Sequence, residues 1–150
     1  MKPPDEVRQE LVQKWLSKAE EDLAVANQLL VDDVAYYAAI GFHAQQAAEK
    51  FIKAFLVSRQ LDFPKTHDLR LLIAIVRPVD AILADSLDAC NLLSDYGVEA
   101  RYPGDLPELS EGDAKNAAKL AEDVRSLIVP VLFDNPKEGA PPTQDSPEQA

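Results

Sequence analysis

An arginine beside a tyrosine is the pair of residues in this sequence best suited to binding chemistry. Glu99, Arg101 and Tyr102 lie within a stretch from Tyr96 to Leu109 that is rich in glycine and proline. A guanidinium can bind a phosphate through two hydrogen bonds, and the adjacent ring can stack on a base. We therefore predict that these three residues contact an anionic ligand. The alternative is structural, with Arg101 paired to Glu99 or a nearby carboxylate and Tyr102 covering the core.

A second group of candidates lies on a predicted helix. His43, Gln46 and Lys50 are spaced by three and four residues, so that their side chains touch on adjacent turns and form one polar stripe. The stripe predicts a ligand surface, or else a boundary between core and water along which the lysine stem lies. His67 stands at the start of another predicted helix, where unpaired backbone N–H groups favour an anion. It is a candidate for ligand contact or for a capping or structural role.

Several kinds of enzyme and metal site are excluded by residue type. His43 and His67 are the only histidines and Cys90 is the only cysteine, so neither a histidine-rich nor a thiolate metal site can form. The sequence also lacks the Glu-x-x-His pairs of di-iron bundles, a glycine-rich phosphate loop, a Gly-x-Ser-x-Gly elbow and a His-Glu-x-x-His motif. We expect no metal and no cofactor, and we expect Cys90 to pack as a small apolar residue.

Charge and composition limit the partners. The 150 residues are 47% hydrophobic and 27% charged, which suits one packed domain. The formal net charge of -11 would repel a phosphate backbone, so any contact with nucleic acid must be local. No apolar stretch has the length of a membrane span or the form of a signal peptide, which predicts a cytoplasmic protein without membrane contact.

The elements that must position these residues are helices. Leucine and alanine dominate the sequence, and apolar residues recur every three to four positions. This pattern predicts an all-α fold, an up-and-down bundle of about five helices over residues 1–133, followed by a disordered tail over residues 134–150. The expected helices run from about Glu6 to Leu30, from about Ala35 to Arg59, from Thr66 as N-cap to about Val76, from Pro78 to about Leu93, and from Ser110, in a capping box with Asp113, to about Val131.

The second predicted helix has apolar residues on more than one side. Phe42, Ile52 and Leu56 fall outside its main apolar arc. Exposed apolar surface of this kind favours association, so we predict a symmetric dimer that buries part of it.

Four sequence motifs follow one another along the chain. They are Trp15-x3-Ala19-x2-Asp22-Leu23-x2-Ala26, Gln45-Gln46-Ala47-Ala48-Glu49-Lys50-x2-Lys53-Ala54, Lys65-Thr66-His67-Asp68-Leu69 and Glu99-Ala100-Arg101-Tyr102-Pro103. In their order and spacing these motifs resemble the HEPN family (higher eukaryotes and prokaryotes nucleotide-binding). The resemblance implies an up-and-down helical bundle that is commonly dimeric and often encoded beside a minimal nucleotidyltransferase, with some members that act as RNA-cleaving toxins and others that are inactive.

The ribonuclease members are similar in carrying a late arginine, then four to six residues, then a histidine. Here no histidine follows Arg101, and Arg59 and His67 are separated by seven residues in the wrong part of the domain. This predicts a non-catalytic homodimer that binds a nucleotide or RNA and pairs with a nucleotidyltransferase-like protein, as in toxin–antitoxin pairs. The alternatives are a metal-independent ribonuclease, in which Arg101 acts with Tyr102 or His67 of either chain, and a purely structural interaction protein.

Overall fold

In a computed structural model, the chain is described over residues 4–97 and 108–134. Within these ranges it forms five α-helices and two 3₁₀ segments and contains no strand, which confirms the predicted all-α helical bundle. No helix among these residues is long and apolar enough to cross a bilayer. The helices are α1 (Pro4–Val31), α2 (Tyr37–Ser58), α3 (Leu69–Val76), α4 (Ala81–Leu87) and α5 (Glu111–Ile128), and the 3₁₀ segments span Asp88–Gly97 and Val129–Val131.

Helix α2 is the centre of the bundle. It packs against α1, α3, α5 and the first 3₁₀ segment, so that its residues are buried on several sides. Ile52 and Leu56, which we expected to leave apolar surface uncovered, are fully buried within one chain, whereas Phe42 is half-buried. The premise of the dimer prediction is therefore wrong for Ile52 and Leu56, because other helices of the same chain already cover them.

The start of α3 differs from the prediction by two residues. Asp68, not Thr66, is the N-cap, and its carboxylate accepts a hydrogen bond from the backbone N–H of Arg70 at 3.0 Å. Thr66 instead accepts from the backbone N–H of Asp68 at 3.0 Å. Both residues are good N-cap types, and the aspartate lies directly before the first buried residue of the helix, Leu69.

The start of α4 is also later than predicted. Asp80 is the N-cap and accepts from the backbone N–H of Leu83 at 3.0 Å. Pro78 lies in the preceding turn, where the N–H groups of Val79 and Asp80 both donate to the carbonyl of Val76. The proline ends one helix here and does not begin the next.

The predicted fourth helix is divided into two kinds of helix. α4 ends at Leu87, and the chain tightens into 3₁₀ geometry from Asp88 to Gly97. Cys90 lies in this segment and is buried, as expected for a small apolar residue. Burial, with a smaller effect of the Asp88 carboxylate, raises the pKa of the Cys90 thiol to about 12.

The capping box at the start of α5 is confirmed. The hydroxyl of Ser110 accepts from the N–H of Asp113 at 3.0 Å, and the carboxylate of Asp113 accepts from the N–H of Ser110 at 3.0 Å. The apolar stripe continues past the end of α5 into the second 3₁₀ segment and brings Leu132 into the core. Most of the predicted loop, residues 98–107, and all but the first residue of the predicted tail, residues 135–150, lie outside the described residues.

Candidate ligand-binding site

His43 and Lys50 meet on one carboxylate, that of Asp22 on α1. His43 Nδ1 lies 2.9 Å from Asp22 Oδ1, and Lys50 Nζ lies 2.6 Å from Asp22 Oδ2. Because an ionised carboxylate only accepts hydrogen bonds, His43 donates from Nδ1 and its Nε2 is turned away from Asp22. The Asp22 side chain is 13% exposed, against 30% for His43 and 21% for Lys50. We call these three residues the Asp22 cluster.

A second carboxylate, that of Glu49 on α2, accepts from three side chains. Lys53 Nζ lies 2.8 Å from Glu49 Oε2, while His67 Nδ1 and Gln45 Nε2 lie 2.9 Å and 3.3 Å from Glu49 Oε1. Among the described residues four polar or charged residues are buried, and Gln45, Glu49 and Lys53 are three of them. We call Gln45, Glu49, Lys53 and His67 the Glu49 cluster.

The Glu49 cluster also holds the chain segment that leads into α3. Gln45 Nε2 donates to the carbonyl of His67 at 3.0 Å, and Lys53 Nζ donates to the carbonyl of Thr66 at 2.9 Å. The Lys53 ammonium lies 5.4 Å from the ring centre of Trp15 and 5.7 Å from that of Phe63. Its buried charge is therefore compensated by a carboxylate, a carbonyl and two aromatic rings.

His67 is the exposed end of this network. Its side chain is 70% exposed, although the Glu49 side chain that holds it is only 3% exposed. Nδ1 is occupied by Glu49, and Nε2 has no hydrogen-bond partner among residues 4–97 and 108–134. The capping role considered for His67 is wrong, because Asp68 caps α3.

Gln46 joins the Glu49 cluster and not the Asp22 cluster. Its Nε2 donates to Gln45 Oε1 at 2.7 Å. The three residues of the predicted stripe thus divide between two partners, since His43 and Lys50 pair with Asp22. Together the two clusters form a polar strip along α2 that is anchored from α1 on one side and from the segment before α3 on the other.

A sequence model of the HEPN domain family matches residues 12–132, which includes every residue of both clusters. The chain belongs to the HEPN family. No curated protein and no solved structure matches it. In this HEPN chain the matched range runs from the third turn of α1 to the residue after the second 3₁₀ segment.

Four of the residues that form the HEPN chain's polar strip were not among the predicted site residues. They are Asp22, Gln45, Glu49 and Lys53, which entered the sequence argument only as members of family motifs. A signal was present for Glu49 and Lys53, because opposite charges four residues apart lie on a helix that has apolar residues on more than one side. Charged residues on such a helix must be paired if they are buried.

Each cluster of this HEPN domain combines one carboxylate with one lysine and one histidine. The lysine already balances the carboxylate, so protonation of the histidine would leave one positive charge at the surface. In a chain with a net charge of -11, a cluster whose carboxylate is already balanced by a lysine is a place where an anion can bind. Glu99, Arg101 and Tyr102, the remaining predicted site residues, lie outside the described residues.

Proposed function

We propose that this HEPN protein is a non-catalytic, homodimeric module that binds a nucleotide or RNA and pairs with a nucleotidyltransferase-like partner in a cytoplasmic toxin–antitoxin-like pair. The observation that carries the proposal is the polar strip along α2. In it His67 is exposed and His43 and Lys50 are partly exposed, and the Asp22 and Glu49 carboxylates hold all three side chains.

Fixed donors favour binding because less side-chain freedom is lost when a ligand arrives. An acidic protein needs such local sites, since its overall charge opposes the approach of a polyanion. Gln46 adds a neutral amide between the two clusters. The strip therefore offers charged donors to a phosphate and a neutral amide donor to the polar edge of a base.

The sequence supports binding over cleavage. RNA cleavage by related proteins uses an arginine followed closely by a histidine late in the domain, and here no histidine follows His67. The ribonuclease alternative is favoured by one observation only, the His67 ring held at Nδ1 with Nε2 facing solvent. That arrangement suits a general acid or base.

A dimer is supported by apolar side chains in the described part of the chain that are partly exposed. Val7 and Leu11 on α1 are 43% and 44% exposed. They line an open groove together with Leu61 and Phe63, which follow α2. Sedimentation of the full chain at tens of micromolar, on the scale where weak dimers of this kind form, is expected to give a mass of two chains. A single-chain mass would contradict the dimer.

Binding is tested by titrating the full chain into fluorescently labelled single-stranded RNA and labelled adenine and guanine nucleotides. We expect saturable binding to at least one probe, with an affinity that falls as salt rises. Replacing Lys50 with Ala should weaken binding, whereas replacing Lys119, an exposed lysine on α5, should not. The absence of saturable binding to all of the probes would contradict the proposed function.

A further inference from the structure

We propose that His67 is the phosphate contact of this protein: with both ring nitrogens protonated, its Nε2 donates to a phosphate oxygen of the ligand while its Nδ1 donates to Glu49, which holds the ring from behind. The inference rests on the proposed function, because it requires a ligand that carries phosphate. It assigns the contact to the residue before the N-cap of α3, whereas the sequence alone offered both Arg101 and His67 as candidates and favoured Arg101.

The imidazole is not needed to hold the fold. The segment before α3 is fixed through the backbone carbonyls of Thr66 and His67, which accept from Lys53 and Gln45. Any residue at position 67 would supply the same carbonyl. Asp68 provides the helix cap. Among residues 4–97 and 108–134, the bond to Glu49 is the one hydrogen bond that the His67 ring itself makes.

The His67 ring is held by the carboxylate of a buried ion pair, Glu49 and Lys53. Glu49 and Lys53 are 2% and 6% exposed, and a buried ion pair is seldom more stable than apolar residues of similar volume. The pair instead fixes orientation, since one oxygen of Glu49 takes Lys53 and the other takes His67. Glu49 is therefore a positioning residue, and the direction of Nε2 is set before a ligand arrives.

The charges around His67 favour an anion. Lys53 balances Glu49, so a protonated His67 retains its own positive charge at the surface. Lys65 and Arg70 lie on either side in sequence and are exposed. Asp68 is the one carboxylate in this stretch, and it accepts from the backbone of Arg70, whose guanidinium Nε is 3.9 Å away.

A phosphate group is the ligand chemistry that fits a doubly protonated imidazole with two exposed cationic residues, Lys65 and Arg70, close to it in sequence. The phosphate can come from a free nucleotide or from the backbone of single-stranded RNA. Three probes separate these sources: inorganic phosphate, an adenine nucleotide and a single-stranded RNA oligonucleotide. The probe that binds most tightly identifies the source.

The test uses His67→Asn in the full chain. The asparagine amide nitrogen can take the place of Nδ1 and keep the bond to Glu49, but nothing replaces Nε2. We expect the variant to keep the melting temperature of the natural protein and to bind the preferred probe about tenfold more weakly or worse, the loss typical of a charge-assisted hydrogen bond. For RNA, the slope of log affinity against log salt should fall by about 0.7. Lys119→Ala serves as the control for loss of one exposed cation.

Unchanged affinity and unchanged salt slope in His67→Asn would overturn this inference and leave the proposed function standing. A lower melting temperature with unchanged affinity per folded molecule would also overturn it, because His67 would then be structural. If the natural protein binds none of the three probes, the proposed function itself fails. Weaker binding by Glu49→Gln, measured per folded molecule, would support the positioning role of Glu49.

Discussion

Glu49 Oε2 and Lys53 Nζ lie 2.8 Å apart on successive turns of α2, with side chains that are only 3% and 7% exposed. The ammonium also faces the rings of Trp15 and Phe63. Removing one member of such a pair leaves the other charge buried without its partner. The pair is therefore the point at which the stability of the bundle and the geometry of the site depend on the same atoms.

Breaking this pair from either side should destabilise the protein strongly. We expect Glu49→Gln and Lys53→Met each to lower the free energy of unfolding by about 3 kcal/mol, because each leaves one buried charge. The double variant should lose much less than the sum of the two losses, since neither charge then remains. Urea denaturation of all four proteins measures the coupling. Additive losses would show that the two side chains do not depend on each other.

The capping box at Ser110 should contribute to the unfolding free energy by an amount typical of a helix cap. Ser110→Ala removes the acceptor for the N–H of Asp113 and is expected to cost about 1 kcal/mol in unfolding free energy. Ser86→Ala is the matched control, because the Ser86 hydroxyl is exposed and bonds only the carbonyl of Ile82 within its own helix. If urea denaturation gives equal losses for both variants, the cap does not stabilise α5.

Cys90 should be inert in the folded protein. Burial raises the pKa of its thiol to about 12 from a usual value of 9.0, so the reactive thiolate is absent at neutral pH. A thiol reagent such as Ellman's reagent should modify it only on unfolding. The raised pKa also means that the folded state holds this proton more tightly, so stability should fall as pH rises above about 9. The stability of Cys90→Ala should not show this part of the decrease at high pH, because the variant has no thiol. Rapid labelling of the native protein would contradict the burial of Cys90.

The tail should be dispensable for folding. Residues 136–150 contain no apolar periodicity that could offset the entropy lost on ordering them. A chain ending at residue 135 is expected to melt within about two degrees of the full chain. A drop of several degrees would show that the tail packs on the bundle.

The long helices could be predicted because each buries at least one periodic apolar face, which the spacing of residues shows directly. The first residues of α3 and α4 could not be predicted as accurately from the sequence. Thr66 and Asp68 are both good caps two residues apart, and Pro78 suits a turn as well as a helix start. Such choices depend on local competition that spacing does not reveal.

The site could be predicted only in part. The stripe of His43, Gln46 and Lys50 follows from helical spacing. Asp22, the carboxylate that pairs with both His43 and Lys50, lies 21 and 28 residues before them in the sequence. That contact depends on how α1 and α2 are aligned. Glu49 and Lys53 resemble a surface ion pair in the sequence, and only the packing of the helices shows that they are buried.

Recovery of RNA after binding tests the central claim, that this HEPN protein binds without cutting. Purified full chain is incubated with labelled single-stranded RNA in the absence of metal, and the RNA from the complex is then sized. We expect bound RNA of unchanged length, because no histidine follows Arg101 to act as acid or base in the arrangement that cleaving relatives use. Reproducible cleavage that is lost in Arg101→Ala or in His67→Asn would contradict the account and establish a ribonuclease.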